Sequence, residues 1–427
     1  MYSKATSTRL LYTLFIAQSL FSAAQIAIAT LMTIVAVRLG GAESVAGLPS
    51  STLTFTQALC AVPVALIMGR FGRRLGLILG YAAGTLGGVV GVLAVVNGLF
   101  PLLLLSAALI GLGRASSEQS RYVAGEIFPE AERARMIGRL VFAGTIGAIV
   151  GPVLVSPSGR LMQSFNLHPD AGPWVAMIVL CGIATIIVSL FLRPDPTTQA
   201  RALAAQNQET RKNSANPPVR PLSKLLMLPK VQLAILAVLI SQTVMVVLMT
   251  MTPLHMDHMA MGNMAGMGDM SGMPDNRDEI SLVIAMHTLG MFGLSPLTGY
   301  LIDRFGRLRM LFLGTLILAA AALLAPIAVG VAPLAFSLFL LGLGWNFGYV
   351  SGASLLADAL RDQELARVQG VNDALVFFVA GLGTLSAGPL FASGGYQAVS
   401  SLGLALVLFL MAMIWWLRRP QPTAEMA

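Results

Sequence analysis

Apolar stretches of roughly 20 residues, long enough as helix to cross a hydrocarbon core about 30 Å thick, recur twelve times along this chain. Their approximate spans are 10–37, 47–69, 75–96, 101–121, 137–156, 173–192, 231–253, 280–302, 308–330, 332–356, 369–393 and 397–417. Lipid offers no hydrogen bonds, so each crossing segment must satisfy its own backbone, which at this length means a helix. Charged residues make up only 11% of the sequence, against about 25% in soluble domains. The chain therefore reads as an all-α membrane protein with 12 transmembrane helices. Lys4 and Arg9 lead straight into an apolar run too long for the core of a cleaved signal, so none is expected. Cys60 and Cys181 both lie inside apolar runs and read as packing residues, not as a disulfide or metal pair.

The formal charge of +8 does not point to nucleic acid, because its distribution follows the positive-inside rule. With the N-terminus taken as cytoplasmic, Arg38, Arg160 and Arg277 fall at the outer side and Arg114 within a span. The other Lys and Arg fall inside, among them Arg70, Arg73, Arg74, Arg133, Arg135, Arg139, Arg304, Arg307 and Arg309. Both termini are expected in the cytoplasm, with lipid as the surrounding partner and no nucleic acid. The halves also repeat. Gly69-Arg-Phe-Gly-Arg-Arg74 answers Asp303-Arg-Phe-Gly-Arg-Leu308, and Gly111-Leu-Gly113 answers Gly342-Leu-Gly344. Glu132-Arg-Ala-Arg-Met-Ile-Gly138 answers Glu364-Leu-Ala-Arg-Val-Gln-Gly370, and Gly151-Pro152 answers Gly388-Pro389. Matches at nearly one offset indicate a parallel duplication. The expected organisation is a six-helix bundle over 1–192, a cytoplasmic linker over 193–230 and a second six-helix bundle over 231–427. A Met- and His-rich periplasmic loop is expected at 254–279.

That loop and its flanks carry the distinctive chemistry. The seventh span holds Met245-x-x-x-Met249 and the eighth His287-x-x-x-Met291, and residues four apart share one helix face. Counted from helix ends near 253 and 280, Met249 and Met245 lie about 6 and 12 Å deep, and His287 and Met291 about 10 and 16 Å. The pairs overlap in depth, as a single ligand set or a two-step ladder. Thioethers with an imidazole suit Cu(I), not Mg²⁺ or Ca²⁺. Between them lie His255, Met256, His258, Met259, Met261, Met264, Met267, Met270 and Met273. Five of these methionines recur every third residue among Gly, Ala, Ser, Asn and Asp, a pattern read as a flexible capture loop and not as a helix stripe. Asp257, Asp269, Asp275, Asp278 and Glu279 would add a cation-attracting rim.

The segment Gly299-Tyr-Leu-Ile-Asp303-Arg304-Phe-Gly306-Arg307 closely resembles the G-x-x-x-D-R-x-G-R signature of the major facilitator superfamily, and the resemblance extends over nearly the whole chain. It implies two six-helix bundles in the major facilitator fold, usually monomeric. It also implies that Asp303 joins a charge relay holding the outward-open state; the first copy has Gly69 at that position. Gly144-x-x-Gly147-x-x-x-Gly151-Pro152 partly resembles the superfamily's antiporter glycine motif and is read only as a bend with close packing. The paired motifs on spans seven and eight resemble the CcoA-like copper importers of bacterial inner membranes. That likeness implies copper as the transported substrate, uptake serving cytochrome oxidase assembly, no permanent cofactor, and a periplasmic copper donor as partner.

In the fourth span, Arg114 and Glu118 are spaced i, i+4 and read as a coupling pair or a static lock. Asp303, Arg304, Arg307 and Asp373 read as gating residues at the inner surface, while Gln242, Trp345 and Asn346 are placed as cavity-lining. Two other functions are open to such a chain: a proton-coupled transporter of an organic solute, drug or vitamin, and a non-transporting copper sensor. No nucleophile–base or hydrolytic metal spacing occurs, so no enzyme is expected.

Overall fold

A computed structural model of the chain describes residues 4–128, 130–198, 220–264 and 276–418. All regular structure among them is helical: α1 (Lys4–Gly40), α2 (Leu48–Phe71), α3 (Arg73–Asn97), α4 (Phe100–Ile127), α5 (Glu130–Val153), α6 (Val155–Ser164) and α7 (Gly172–Phe191). There follow α8 (Leu222–Leu226), α9 (Pro229–Met264), α10 (Arg277–Phe292), α11 (Ser295–Phe305), α12 (Arg307–Leu324), α13 (Val331–Ala359) and α14 (Asp362–Arg418). Ten of the described helical segments are long and apolar enough to cross a membrane, and an eleventh span comes from the α5–α6 pair, bent by 46°. The bend follows Gly151-Pro152, because proline lacks the N–H that the helix needs there. The last candidate is 50 residues long and breaks at Gly394 and Gly395. Gly395, at φ 61° and ψ −159°, occupies backbone space that only glycine enters readily. Two expected spans thus lie end to end within α14, so the described helices accommodate the twelve.

Packing groups the chain into two units. The first comprises residues 1–217, 250–285 and 384–392, and the second 218–249, 286–383 and 393–427. In the first unit α1 is central. Ser19 and Ser22 donate to the carbonyls of Ala143 (2.9 Å) and Gly144 (2.7 Å), and a Cβ at Gly151 would lie 2.7 Å from the Ala23 carbonyl oxygen. Small residues let these backbones approach. The glycines of α3 divide between two neighbours. Gly80 and Gly87 meet α4 at Ser116 and Ile110, whereas Gly88 and Gly91 meet α7 at Trp174. Cys181 packs beside Gly84 and is buried, as expected of a packing residue; Cys60 is partly exposed.

In the second unit, α8 anchors the chain after the linker. Leu225 is buried with Val231, Ala234, Ile235, Leu356 and Val368. Beside it Arg220 forms a two-pronged ion pair with Glu364, Nε to Oε1 and Nη2 to Oε2 both 2.8 Å. Arg220, with help from the Arg361 backbone N–H, holds the Glu364 carboxyl down at about 2, from an ordinary 4.5. A carboxyl lowered on folding contributes stability above its unfolded pKa, lost as pH falls through the folded one. Amide exchange over 222–228, corrected for intrinsic rates, should therefore stay slow at pH 5 and accelerate between about pH 4.5 and 2. Glu364→Gln should remove that pH dependence, and a wild-type profile in this variant would show that Glu364 is not the titrating group.

Candidate functional site

The flanks of the Met-rich segment are more helical than the sequence pattern suggests. Helix α9 does not end near 253 but runs on to Met264, passing through Pro253. His255, Met256, His258, Met259, Met261 and Met264 thus lie on a helix, which corrects the expectation of a flexible loop from 254. Met, Leu and Ala are strong helix formers, and the first glycine of the segment is only at 262. Met267, Met270 and Met273, with Asp269 and Asp275, lie outside the described residues, as does the side chain of Met264. Met256 is buried and Met261 is 47% exposed. His258 pairs with Glu43 at 3.1 Å and its ring stacks edge-on against Phe391, 5.4 Å between centroids. Among the described residues, no group of three or more His, Cys, Asp or Glu side chains could hold a metal ion.

The paired motifs lie together in the second unit. On α9, Ala234, Val238 and Ser241 form the row that meets Gly352 and Gly348 of α13. Met245 follows Ser241 by four residues, so it continues this row, and Met249 extends it one turn further. On α10, His287 turns to the same partner helix: its Nδ1 lies 2.9 Å from the Leu338 carbonyl. A carbonyl only accepts, so Nδ1 carries the proton and Nε2 the lone pair. That Nε2 is buried and has no hydrogen-bond partner among the described residues. Glycines bring α10 and α13 into backbone contact, Gly290 against Phe339 and Gly342 against His287 and Met291. With a rise of about 1.5 Å per residue, Met249 and His287 fall level with Leu338, and Met245 and Met291 level with Gly342 to Trp345. Met245 and His287 are buried, while Met249 and Met291 are half-buried.

Immediately after Met291 the span breaks, a feature the sequence reading missed. Helix α10 ends at Phe292 and α11 starts at Ser295, because Gly293 loosens the helix and Pro296 cannot donate back into it. Asn346 compensates, its Nδ2 donating to the Met291 carbonyl (2.6 Å) and to Ser295 Oγ (2.8 Å). Broken helices with freed backbone groups at membrane depth are how transporters build ligand sites. The Gly-x-x-Pro spacing from Gly293 to Pro296 was the available signal. Below the break, Trp345 links both helices. Its Nε1 donates to Gln242 on α9 (2.8 Å), and its ring meets Phe292 (5.8 Å) and Tyr349 (5.0 Å).

Of the expected gating residues, Asp303 and Arg307 do pair, and Arg307 also reaches a partner that spacing did not show. Arg307 Nε pairs with Asp358 Oδ2 at 2.7 Å, while Asp303 is 3.9 Å from Arg307 and largely exposed. Arg304 donates to the Tyr300 hydroxyl at 2.7 Å. In the first half the equivalent pair is Arg73 with Glu126, doubly bonded at 2.6 and 3.0 Å. Glu126 and Asp358 were missed, although they sit 232 apart, the offset of the internal repeat. Where Gly69 replaces the signature carboxylate, Asp195 caps the start of α3, accepting from the Arg73 and Arg74 amides at 3.2 and 3.1 Å. Glu118 lies 3.7 Å from Arg121 and acts on Arg114 as a neighbouring charge. Asp373 accepts from the neighbouring Asn372 at 3.4 Å.

Also in the first unit, Asp170 is the buried hub of a charge cluster that ties Arg38 of α1 to Arg277 of α10. Asp278 joins it to α6 through Ser156 and Arg160. Burial, with Arg38 and Arg277 alongside, lowers the pKa of His168 at its edge despite the pull of Asp170.

The comparisons with known proteins follow this geometry. The family description "Major Facilitator Superfamily" matches residues 14–274 and 275–426. The chain is 33% identical over 392 residues to the uncharacterized MFS-type transporter YddS of Bacillus subtilis (strain 168), covering 90% of this chain and 85% of that one. It is 28% identical over 429 residues to the riboflavin transporter RfnT of Brucella anthropi, covering 100% of both. The crystal structure of a D-xylose–proton symporter shares the fold at TM-score 0.68 and 16% identity, covering 96% of this chain and 97% of that one. With both halves matched and the helical architecture in common, the chain belongs to the major facilitator superfamily and is an MFS-type transporter.

Proposed function

We propose that this transporter carries copper as Cu(I) across a bacterial inner membrane, inward, by alternating access with both termini in the cytoplasm. One observation carries the reading: His287 holds a proton on Nδ1 against Leu338 and a lone pair on a buried Nε2 that no described residue uses. Metal-ligating histidines are oriented in this way, one nitrogen tied to a carbonyl and the other free. Three thioethers lie on the same two helix faces in two levels, which would let a soft ion step from Met249 and His287 to Met245 and Met291. The helical methionines from 256 onward, with those beyond 264, would gather the ion before it enters. Transfer between equivalent thioethers needs no proton chemistry, and only the imidazole must be neutral to bind.

The test is accumulation of radioactive copper in cells expressing wild type, Met245→Ala, or Met261, Met264, Met267, Met270 and Met273 all changed to Ser. Met245→Ala should reduce uptake about tenfold, the loss of roughly 1.4 kcal/mol of ligand binding. The five-fold Ser variant should reduce it only when copper is scarce. Copper efflux promoted by expression would reverse the direction, and unchanged uptake in Met245→Ala would remove Met245 from the path.

A second reading has its own support. Trp345, Tyr349 and Phe292 form a ring cluster beside Gln242 and Asn346, suited to stacking a planar heterocycle, and a full-length relative is a riboflavin transporter. Trp345→Ala should then abolish riboflavin uptake and leave copper accumulation intact.

A further inference from the structure

We propose that the first unit contains a second ligand site, a subsite for the carboxylate of a small organic acid, built on Arg114 and separate from the thioether path. Arg114 lies within the α4 span and makes no hydrogen bond or ion pair among the described residues. Glu118, one turn further on, acts on it as a neighbouring charge but lies 3.7 Å from Arg121, so one carboxylate serves two guanidiniums. A guanidinium in a membrane span that shares its one counter-charge is costly, and the surplus positive charge marks a site for an anion brought from elsewhere.

Amides stand on two helices packed against α4. Gln18 of α1 accepts on Oε1 from the hydroxyls of Ser117 (2.6 Å) and Ser120 (3.1 Å), which turns its NH₂ group away from those hydroxyls as a donor. Gln57 of α2 is 2% exposed, and its Oε1 is buried with no partner. Helix packing sets these residues at nearly one level of the first unit. Gly111 of α4 abuts Leu53 and Thr56 of α2, and α2 and α4 run in the same direction because α3 returns between them. Gln57 is one turn beyond Leu53, and Arg114 three residues beyond Gly111. On α4, Arg114 therefore falls between the face that meets α2 and the Ser117 face that meets Gln18.

The set is matched to its ligand. A carboxylate accepts two parallel N–H groups from a guanidinium and a third from the Gln18 amide. One negative charge neutralises Arg114, whereas a dianion would leave an uncompensated charge. The Gln57 oxygen, an acceptor without a donor, fits a hydroxyl next to that carboxylate. The inference rests on the first unit alone and does not depend on the copper reading.

The test is thermal unfolding of the purified full-length protein in detergent, titrated with lactate, propionate, inorganic phosphate or sodium chloride at pH 7. Lactate should raise the unfolding temperature at lower concentration than propionate, by at least about threefold, with phosphate no better than chloride. In Arg114→Met the half-maximal lactate concentration should rise more than tenfold. The same variant without ligand should unfold at an equal or higher temperature, since a half-buried charge that shares its counter-ion is gone, whereas a merely structural arginine would give a lower one. Gln57→Leu should erase the preference for lactate over propionate. No shift beyond chloride in wild type, or an undiminished shift in Arg114→Met, would overturn the site. Stabilisation by phosphate but not by carboxylates would overturn the ligand class.

Discussion

His287→Leu is expected to lower copper accumulation at least a hundredfold while leaving the amount of folded transporter unchanged. The side chain is 1% exposed, and its single hydrogen bond ties Nδ1 to Leu338. Leucine has nearly the imidazole's volume, so no large cavity opens. The buried Nε2 without a partner disappears, removing a desolvation cost, while the Leu338 carbonyl loses one hydrogen bond worth about 1 kcal/mol. These two changes roughly cancel, and the unfolding temperature should move by only a few degrees. Function should not be spared, since imidazole is the one nitrogen donor among the four residues of the ladder. A hundredfold loss corresponds to about 2.7 kcal/mol, within what a coordinating nitrogen supplies. Uptake within threefold of wild type in a properly folded His287→Leu protein would remove the residue from the ion's path and leave the ring cluster at Trp345 as the better candidate.

The second large effect is structural. Gly342→Val should sharply reduce the yield of folded protein, and Gly342→Ala should do so less severely. A Cβ at this position would fall on the His287 carbonyl and 2.8 Å from the Met291 amide. Both are backbone atoms of α10, in the same close contact that sets Gly290 against Phe339, so neither can give way as a flexible side chain would. Overpacking of this kind typically costs about 1–3 kcal/mol, sometimes more, and here it also parts His287 from Leu338. Fluorescence-detected gel filtration and the unfolding temperature would read the loss. A fully folded Gly342→Val protein with wild-type stability would mean that α10 and α13 do not cross in backbone contact.

The internal repeat shows what spacing alone can and cannot tell. Asp303 and Arg307 are four residues apart and pair only loosely at 3.9 Å, while Arg307 makes its shorter contact with Asp358 across on α13. Arg73 reaches Glu126 in the same way. A local i, i+4 pair on an exposed helix end is worth little, so a long arginine takes whichever carboxylate the neighbouring helix presents. Likewise Glu118 lies three residues from Arg121 and four from Arg114, and makes its ion-pair contact with the former. Asp195 lies far in sequence from the α2–α3 turn and was invisible as a cap until the chain folded back onto it.

The amino-acid sequence by itself determined that the chain crosses a membrane many times as helix, that its halves repeat, and which four donors share helix faces. Each of these follows from apolar length, an offset or a 3.6-residue period, all properties of the chain read along one dimension. Only the tertiary structure decided that α9 runs on to Met264, that the span carrying Met291 breaks before Ser295, and that Asn346 closes that break. It alone left His287 Nε2 without a hydrogen-bond partner among the described residues and Arg114 sharing Glu118 with Arg121. Whether a buried polar group is satisfied depends on what a distant helix brings within about 3 Å of it, and that distance exists only once the helices are packed.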